Sequence, residues 1–184
     1  MLTTLKSWLR VVGLVLQYQS DNIYRVTFGM PRLKRCEITA NLYLGSQYNL
    51  VGLRKLKALG VTAIINMRMH SVYSETQYEG FHYLHLPTPD NTPPDLDVLK
   101  QGADFADKEV RSEGKVYIHC RQGLGRGPTM ATAYLLKTGL TLKDALALIR
   151  KARPFINPRP GQIARLKELE TYYQNKTSAT HLKQ

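Results

Sequence analysis

The sequence predicts an α/β fold: a central, largely parallel sheet of about four to five strands flanked by helices. Three observations predict it. Short apolar or β-branched runs, at residues 61–66, 83–86 and 115–119, alternate with longer stretches of helical periodicity. Gly60, Gly114 and Gly139 stand where those helical stretches should stop. The chain has 184 residues, 43% hydrophobic and 22% charged, which is ordinary globular composition and excludes disorder throughout.

Taken in order, residues 1–30 form an N-terminal amphipathic helical extension. Leu2, Leu5, Leu9, Val12 and Leu16 recur at steps of three and four, and no acid precedes Asp21. The apolar run is too short to span a bilayer. This helix either packs its apolar face on the body of the protein or lies in a membrane surface with Trp8 at the interface. An organellar targeting segment would show the same pattern.

Residues 31–174 form the main domain. A strand is expected at 38–45 and a helix at 50–59, followed by the strand at 61–66. An aperiodic loop occupies 68–80, and the strand at 83–86 leads into Pro87, Pro89, Pro93 and Pro94. That density of proline excludes helix and central strand there. Helices follow at 95–112, with Asp95 as cap, and, after the strand at 115–119, from Pro128 to 137. Thr141 and Asp144 have capping-box spacing for a helix at 142–152. A last helix covers 161–173, leaving 175–184 as a polar tail without pattern.

Lys and Arg number 26 against 14 Asp and Glu, a formal charge of +12. Such a field favours anionic partners without choosing among them. Cys36 and Cys120 are too few for a disulfide framework, which suits a reduced, cytoplasmic setting. Cys36 reads as a small core residue. His70, His82, His85 and His181 have no metal-ligand spacing, so neither a metal nor another cofactor is expected.

The segment that carries chemistry is His119-Cys120-Arg121-Gln122-Gly123-Leu124-Gly125-Arg126-Gly127-Pro128. A strand runs into a cysteine, a glycine-rich turn and an arginine that opens a helix. Gly123 and Gly125 permit backbone conformations in which successive N–H groups face inward as an anion nest. The helix start adds unpaired N–H groups and partial positive charge. A thiolate at Cys120 is favoured there, and Arg126 offers a planar fork for two phosphate oxygens. The arrangement suits attack of sulfur on phosphorus. His119 is expected to bond the loop backbone and shape it.

This segment resembles the Cys-x5-Arg signature of the cysteine-dependent protein tyrosine phosphatase superfamily, in particular its small atypical dual-specificity branch. The resemblance extends over about residues 31–173, including Asn41-Leu42-Tyr43-Leu44-Gly45-Ser46, Ile64-Ile65-Asn66 and Arg153-Pro154. It implies a dual-specificity phosphatase-like fold, with Cys120 as nucleophile and the backbone of residues 121–126 (Arg121, Gln122, Gly123, Leu124, Gly125, Arg126) as the phosphate loop. It also implies an acid some thirty residues before the cysteine. Asp90 fits within Pro89-Asp90-Asn91-Thr92-Pro93-Pro94, with Asp95 and Asp97 as competitors.

Gly127 departs from the pattern, because the family usually carries Ser or Thr directly after the arginine. Breakdown of the phospho-cysteine is then expected to be slow, unless Thr129 supplies the hydroxyl. Gln162 resembles a glutamine that positions water in some relatives, but as a lone residue it reads first as a surface glutamine. The expected activity is phosphomonoester hydrolysis through a cysteinyl-phosphate, on phosphoprotein first. The alternative substrate is phospholipid (phosphatidylglycerophosphate or phosphoinositide) at a membrane surface. A silent phosphate-binding scaffold is the minor alternative. A monomer is expected, with peripheral contact to anionic membrane through residues 1–20 and no nucleic-acid partner.

Overall fold

In the computed structural model, residues 2–181 are described. Their helices are α1 (Leu2–Phe28), α2 (Leu33–Cys36), α3 (Leu50–Ala58), α4 (Leu96–Arg111), α5 (Arg126–Lys137), α6 (Leu142–Ala152) and α7 (Pro160–His181). The strands are β1 (Leu42–Gly45), β2 (Ala63–Asn66), β3 (His82–His85) and β4 (Val116–His119). They form one sheet in the order β1-β4-β2-β3, parallel at every pairing. The expected α/β architecture with a parallel sheet is therefore present.

Side-chain alternation along each strand divides the interior in two. Leu42 and Leu44, Ala63 and Ile65, and Val116 and Ile118 point to one face, where they pack with Leu99, Met130, Ile149 and Leu166 of the helices. Tyr43, Ile64 and Tyr117 point to the other, against Tyr48, Leu53, Leu56 and Tyr78. Because the strands run the same way, their C-terminal ends share one edge. The loops after β1, β2, β3 and β4 all leave from it, and ligands of open parallel sheets bind at such an edge.

Several elements differ from expectation. β1 begins at Leu42 rather than at residue 38, because Ile38 and Thr39 both donate their N–H to the Leu42 carbonyl in a tight turn. α2 lies in a segment to which no element was assigned, and a 3-10 turn at Glu75–Tyr78 lies in the loop read as aperiodic; one turn of helix is too short to show periodicity. Asp95 takes the position before α4, yet its side chain caps nothing. The segment read as a patternless tail continues α7 through His181; no Gly or Pro interrupts it after Gly161. Residues 182–184 lie outside the described residues.

The N-terminal helix seats itself by its polar side. Tyr18 meets Phe155 edge-on, Gln17 Oε1 accepts from Arg35, and Asp21 is buried, 4% exposed. Leu5, Trp8, Leu9, Val11, Val15 and Leu16 face outward, Trp8 being 64% exposed. The apolar face is thus turned away from the body, contrary to the packing reading. The side chain of Leu2 lies outside the described residues. No helix among the described residues is long and apolar enough to cross a membrane.

Candidate active site

β4 delivers Cys120 to the sheet edge, and the chain turns at once into the loop before α5. Gly123 has φ +71°, a conformation that disfavours any side chain. A Cβ there would also lie 2.8 Å from the Gly45 carbonyl oxygen and 2.9 Å from Arg153 Nη2. In that turn the Gly123 N–H points at Cys120 Sγ, at 3.2 Å.

Two outward tethers orient the rest of the loop. The Arg121 carbonyl accepts from Gln47 N–H, and the Leu124 carbonyl from Asn157 N–H at 2.7 Å. The peptides are trans, so the N–H groups of Gln122 and Gly125 point the opposite way, into the turn. The N-terminus of α5 adds its own unpaired amides.

Arg126, 5% exposed, lines the same cavity as Cys120. Its Nη1 donates to the carbonyls of Thr88 at 2.7 Å and Met67 at 3.3 Å, which lock the guanidinium plane. Its Nε has no hydrogen-bond partner among the described residues, and Nη2 lies 3.0 Å from Asp90 Oδ1. The Nε–Nη2 edge is the side of the fork left for a bidentate oxyanion.

The turn after β3 carries Asp90 over the loop. Asn91 adopts φ +61° and gives its N–H to Asp90 Oδ1, while Thr92 Oγ1 donates to the Pro89 carbonyl. Arg159, just before α7, and Gln162, in its first turn, hold this turn from the far side. Arg159 Nε donates to Asn91 Oδ1 at 2.9 Å, and Gln162 Nε2 donates to the Thr92 carbonyl at 3.0 Å. Gln162 Oε1 accepts from Arg159 N–H, and a Cβ on Gly125 would stand 3.0 Å from that oxygen. Gln162 is fully buried, which corrects the surface reading.

One cavity is lined by Asp90, Cys120, Arg121, Gln122, Leu124, Gly125, Arg126 and Gln162, together with Asn91, Asn157 and Arg159. The structure therefore brings together most of the residues singled out in the sequence. Gly123 touches the sulfur from behind and does not line the cavity. Of the three candidate acids, Asp90 lines it. Lys100 hydrogen-bonds Asp97 at 2.6 Å, holding its pKa below the usual carboxylate range. Thr129 lies outside, its hydroxyl donating to the Gly125 carbonyl at 2.9 Å. Asn157 and Arg159 were missed; the segment between the helices expected at 142–152 and 161–173 gave no sign of facing the site.

His119 is fully buried, with Nδ1 3.3 Å from the Cys120 carbonyl oxygen. Burial pushes its pKa down to about 3, so the ring is neutral at physiological pH. Cys36 is buried too, and burial pushes its thiol up to about 12. Among the described residues no group of three or more His, Cys, Asp or Glu could hold a metal ion.

Residues 42–172 match the family described as dual specificity phosphatase, catalytic domain. Human dual specificity protein phosphatase 1 is 33% identical over 138 residues, 73% of this chain and 37% of the relative. The chain thus spans little more than a third of that relative's length. Among solved structures, Tk-PTP in its active form is similar, with TM-score 0.68, 31% identity, and coverage of 74% of this chain and 95% of that one. PTPMT1 in complex with PI(5)P is also similar, with TM-score 0.71, 27% identity, and coverage of 76% and 96%.

Proposed function

This chain belongs to the dual specificity phosphatase family, and from that premise we propose that it hydrolyses phosphomonoesters through a cysteinyl-phosphate, phosphoproteins being the first substrate class. The observation that carries the reading is one cavity into which Cys120, the inward amides of its loop, the open edge of Arg126 and the Asp90 carboxyl all converge.

In the first step the phosphate takes the Nε–Nη2 edge of Arg126 and displaces Asp90 from Nη2. The Cys120 sulfur forms a bond to phosphorus as the bond to the leaving oxygen breaks. Asp90, freed from the guanidinium and protonated from solvent, faces that oxygen and gives it the proton, so the leaving group departs as a neutral alcohol or phenol and Asp90 is left as carboxylate. The equatorial oxygens stay on the loop amides and the guanidinium, where charge is stabilised without reorganisation. In the second step water attacks phosphorus, Asp90 takes its proton, and sulfur leaves as thiolate. Gln162, bonded to the Thr92 carbonyl and the Arg159 amide, holds the Asp90 turn over the loop through this step. Buried, neutral His119 shapes the loop and exchanges no proton with substrate.

A second reading is a phospholipid phosphatase working at a membrane surface. The outward apolar face of α1, with Lys6 and Arg10 beside it, favours it. Arg121 and Arg159 at the cavity add positive charge, and one similar structure carries a phosphoinositide by its description. On either reading we expect a monomer in the cytoplasm, peripheral to membrane in the second, with organellar targeting through residues 1–20 as the alternative location.

The test is hydrolysis of p-nitrophenyl phosphate, abolished in Cys120→Ser and inhibited by vanadate. A panel of phosphopeptides, phosphoinositides and phosphatidylglycerophosphate, compared by kcat/KM in solution and on liposomes, then separates the two substrate classes. Phosphate binding without turnover would instead leave a silent scaffold.

A further inference from the structure

Behind the loop, on the side away from the cavity, lies a buried ion pair. Arg153, at the end of α6, is fully buried. Its Nη1 donates to the Arg35 carbonyl at 3.0 Å and lies 3.6 Å from Asp21 Oδ2. Its guanidinium also stacks over Phe155 at 4.9 Å. Asp21 Oδ1 accepts from Arg32 N–H at 3.2 Å. On its other side, Arg153 Nη2 abuts Gly123, the residue whose N–H reaches the Cys120 sulfur. Gly123 is therefore backed by the Gly45 carbonyl of β1 and by a guanidinium whose charge is balanced from α1, both crowding the space a side chain there would need.

A buried guanidinium without a counter-ion is costly, so its place depends on the carboxylate that faces it. Asp21 lies 21 residues before the first residue matched to the family. The support of the phosphate loop thus reaches outside the family segment, into the N-terminal helix. We propose, resting on the phosphatase reading of that loop, that Asp21 is a positioning residue: through Arg153 it fixes Gly123 and so the amide that faces the nucleophilic sulfur. The N-terminal helix is then part of the active-site scaffold as well as an appendage with an outward face.

The test uses the full chain carrying Asp21→Asn. Inorganic phosphate affinity is measured by calorimetry, kcat and KM with p-nitrophenyl phosphate, and folded fraction by thermal melting. Misplacing a loop amide by a fraction of an ångström should cost about ten- to hundred-fold. Phosphate affinity and kcat should fall by that order at a temperature where the variant is fully folded, and Asp21→Glu should restore most of both. A lower Tm with wild-type phosphate affinity and kcat would overturn the proposal, making Asp21 a mere anchor for the helix. If Asn at 21 prevents folding, the pair Asp21→Leu with Arg153→Met removes both charges while keeping volume. That double variant must still bind phosphate weakly, and wild-type affinity in it overturns the proposal equally. Calorimetry reads the loop without turnover. A wild-type chain that binds phosphate yet hydrolyses nothing would therefore sink the phosphatase reading and leave this one standing.

Discussion

The carboxylate of Asp90, 68% exposed at its side chain, is paired at 3.0 Å with the almost wholly buried guanidinium of Arg126. The residue read as proton donor and the residue read as phosphate anchor therefore hold each other. An incoming phosphate must break that contact, and in doing so it releases the acid toward the leaving group.

Replacing the acid should consequently have opposite effects on binding and on turnover. Asp90→Asn removes the competing charge, so inorganic phosphate should bind several-fold more tightly by calorimetry. At the same time kcat should fall by roughly 10²- to 10⁴-fold with alkyl phosphates, whose leaving groups need a proton. With activated aryl phosphates the loss should be small. Equal losses across leaving groups would show that Asp90 is not the donor.

Arg126→Lys keeps the charge and loses the fork. Lysine cannot hold the Thr88 and Met67 carbonyls while presenting two donors to one anion. We expect kcat/KM for p-nitrophenyl phosphate to fall on the order of 100-fold or more, a transition-state loss of about 3 kcal/mol. A ten-fold change or less would mean that charge alone suffices.

Gly127→Ser should speed the second step. A Cβ at 127 would lie 3.6 Å from Cys120 Sγ and 3.2 Å from Leu44 Cδ1. The methyl end of Leu44 can give by a few tenths of an ångström, and the added hydroxyl then reaches the departing sulfur. Thr129 cannot easily serve, since its proton is already committed to the Gly125 carbonyl. Rapid-quench measurements should show a smaller pre-steady-state burst and faster turnover; an unaltered burst refutes the idea.

Gln162→Ala cuts the link between the Thr92 carbonyl and the Arg159 amide. Its main effect should be on Asp90, with kcat dropping about ten-fold and the loss largely vanishing in an Asp90→Asn background. Additive losses in the double variant would place Gln162 in a separate role.

His119 makes stability depend on pH in a set direction. Unfolded, the ring takes a proton below about pH 6.5; folded, burial defers this to about 3. The unfolded state binds more protons in that window, so stability falls as pH drops through it, by at most about 1.4 kcal/mol per pH unit from this group. Above pH 6.5 the contribution is constant. Urea melts of wild type and His119→Asn should diverge in slope between pH 6.5 and 4, and parallel curves would remove His119 as the cause.

What could be read from the chain alone divides along physical lines. The Cys120–Arg126 turn was legible because its chemistry needs fixed residue types at fixed spacing, and Asp90 because prolines mark its loop. The parallel sheet was legible from strand–helix alternation. Gln162 was not, since one glutamine carries no period and its burial comes from contacts with Thr92 and Arg159, 70 residues and 3 residues away in the chain. The seating of α1 was legible only as a choice of two faces. Periodicity showed that Leu5, Leu9 and Leu16 share a side, but not that Asp21, Tyr18 and Gln17 would supply the contacts with the body. Arg153 was noted for its resemblance, and its counter-ion on another helix left no local trace.

The strand order has a consequence for how the molecule comes into being. β4 sits between β1 and β2, its Val116 in register with Leu42 and with Ala63, so its pairings close loops of 74 and 53 residues. As the polypeptide leaves the ribosome, the three earlier strands emerge with the middle of the sheet still missing. Such non-local closure is slow, and it leaves unpaired edges open to aggregation until the last strand inserts. The phosphate loop, strung directly after that strand, can take shape only when the sheet is complete.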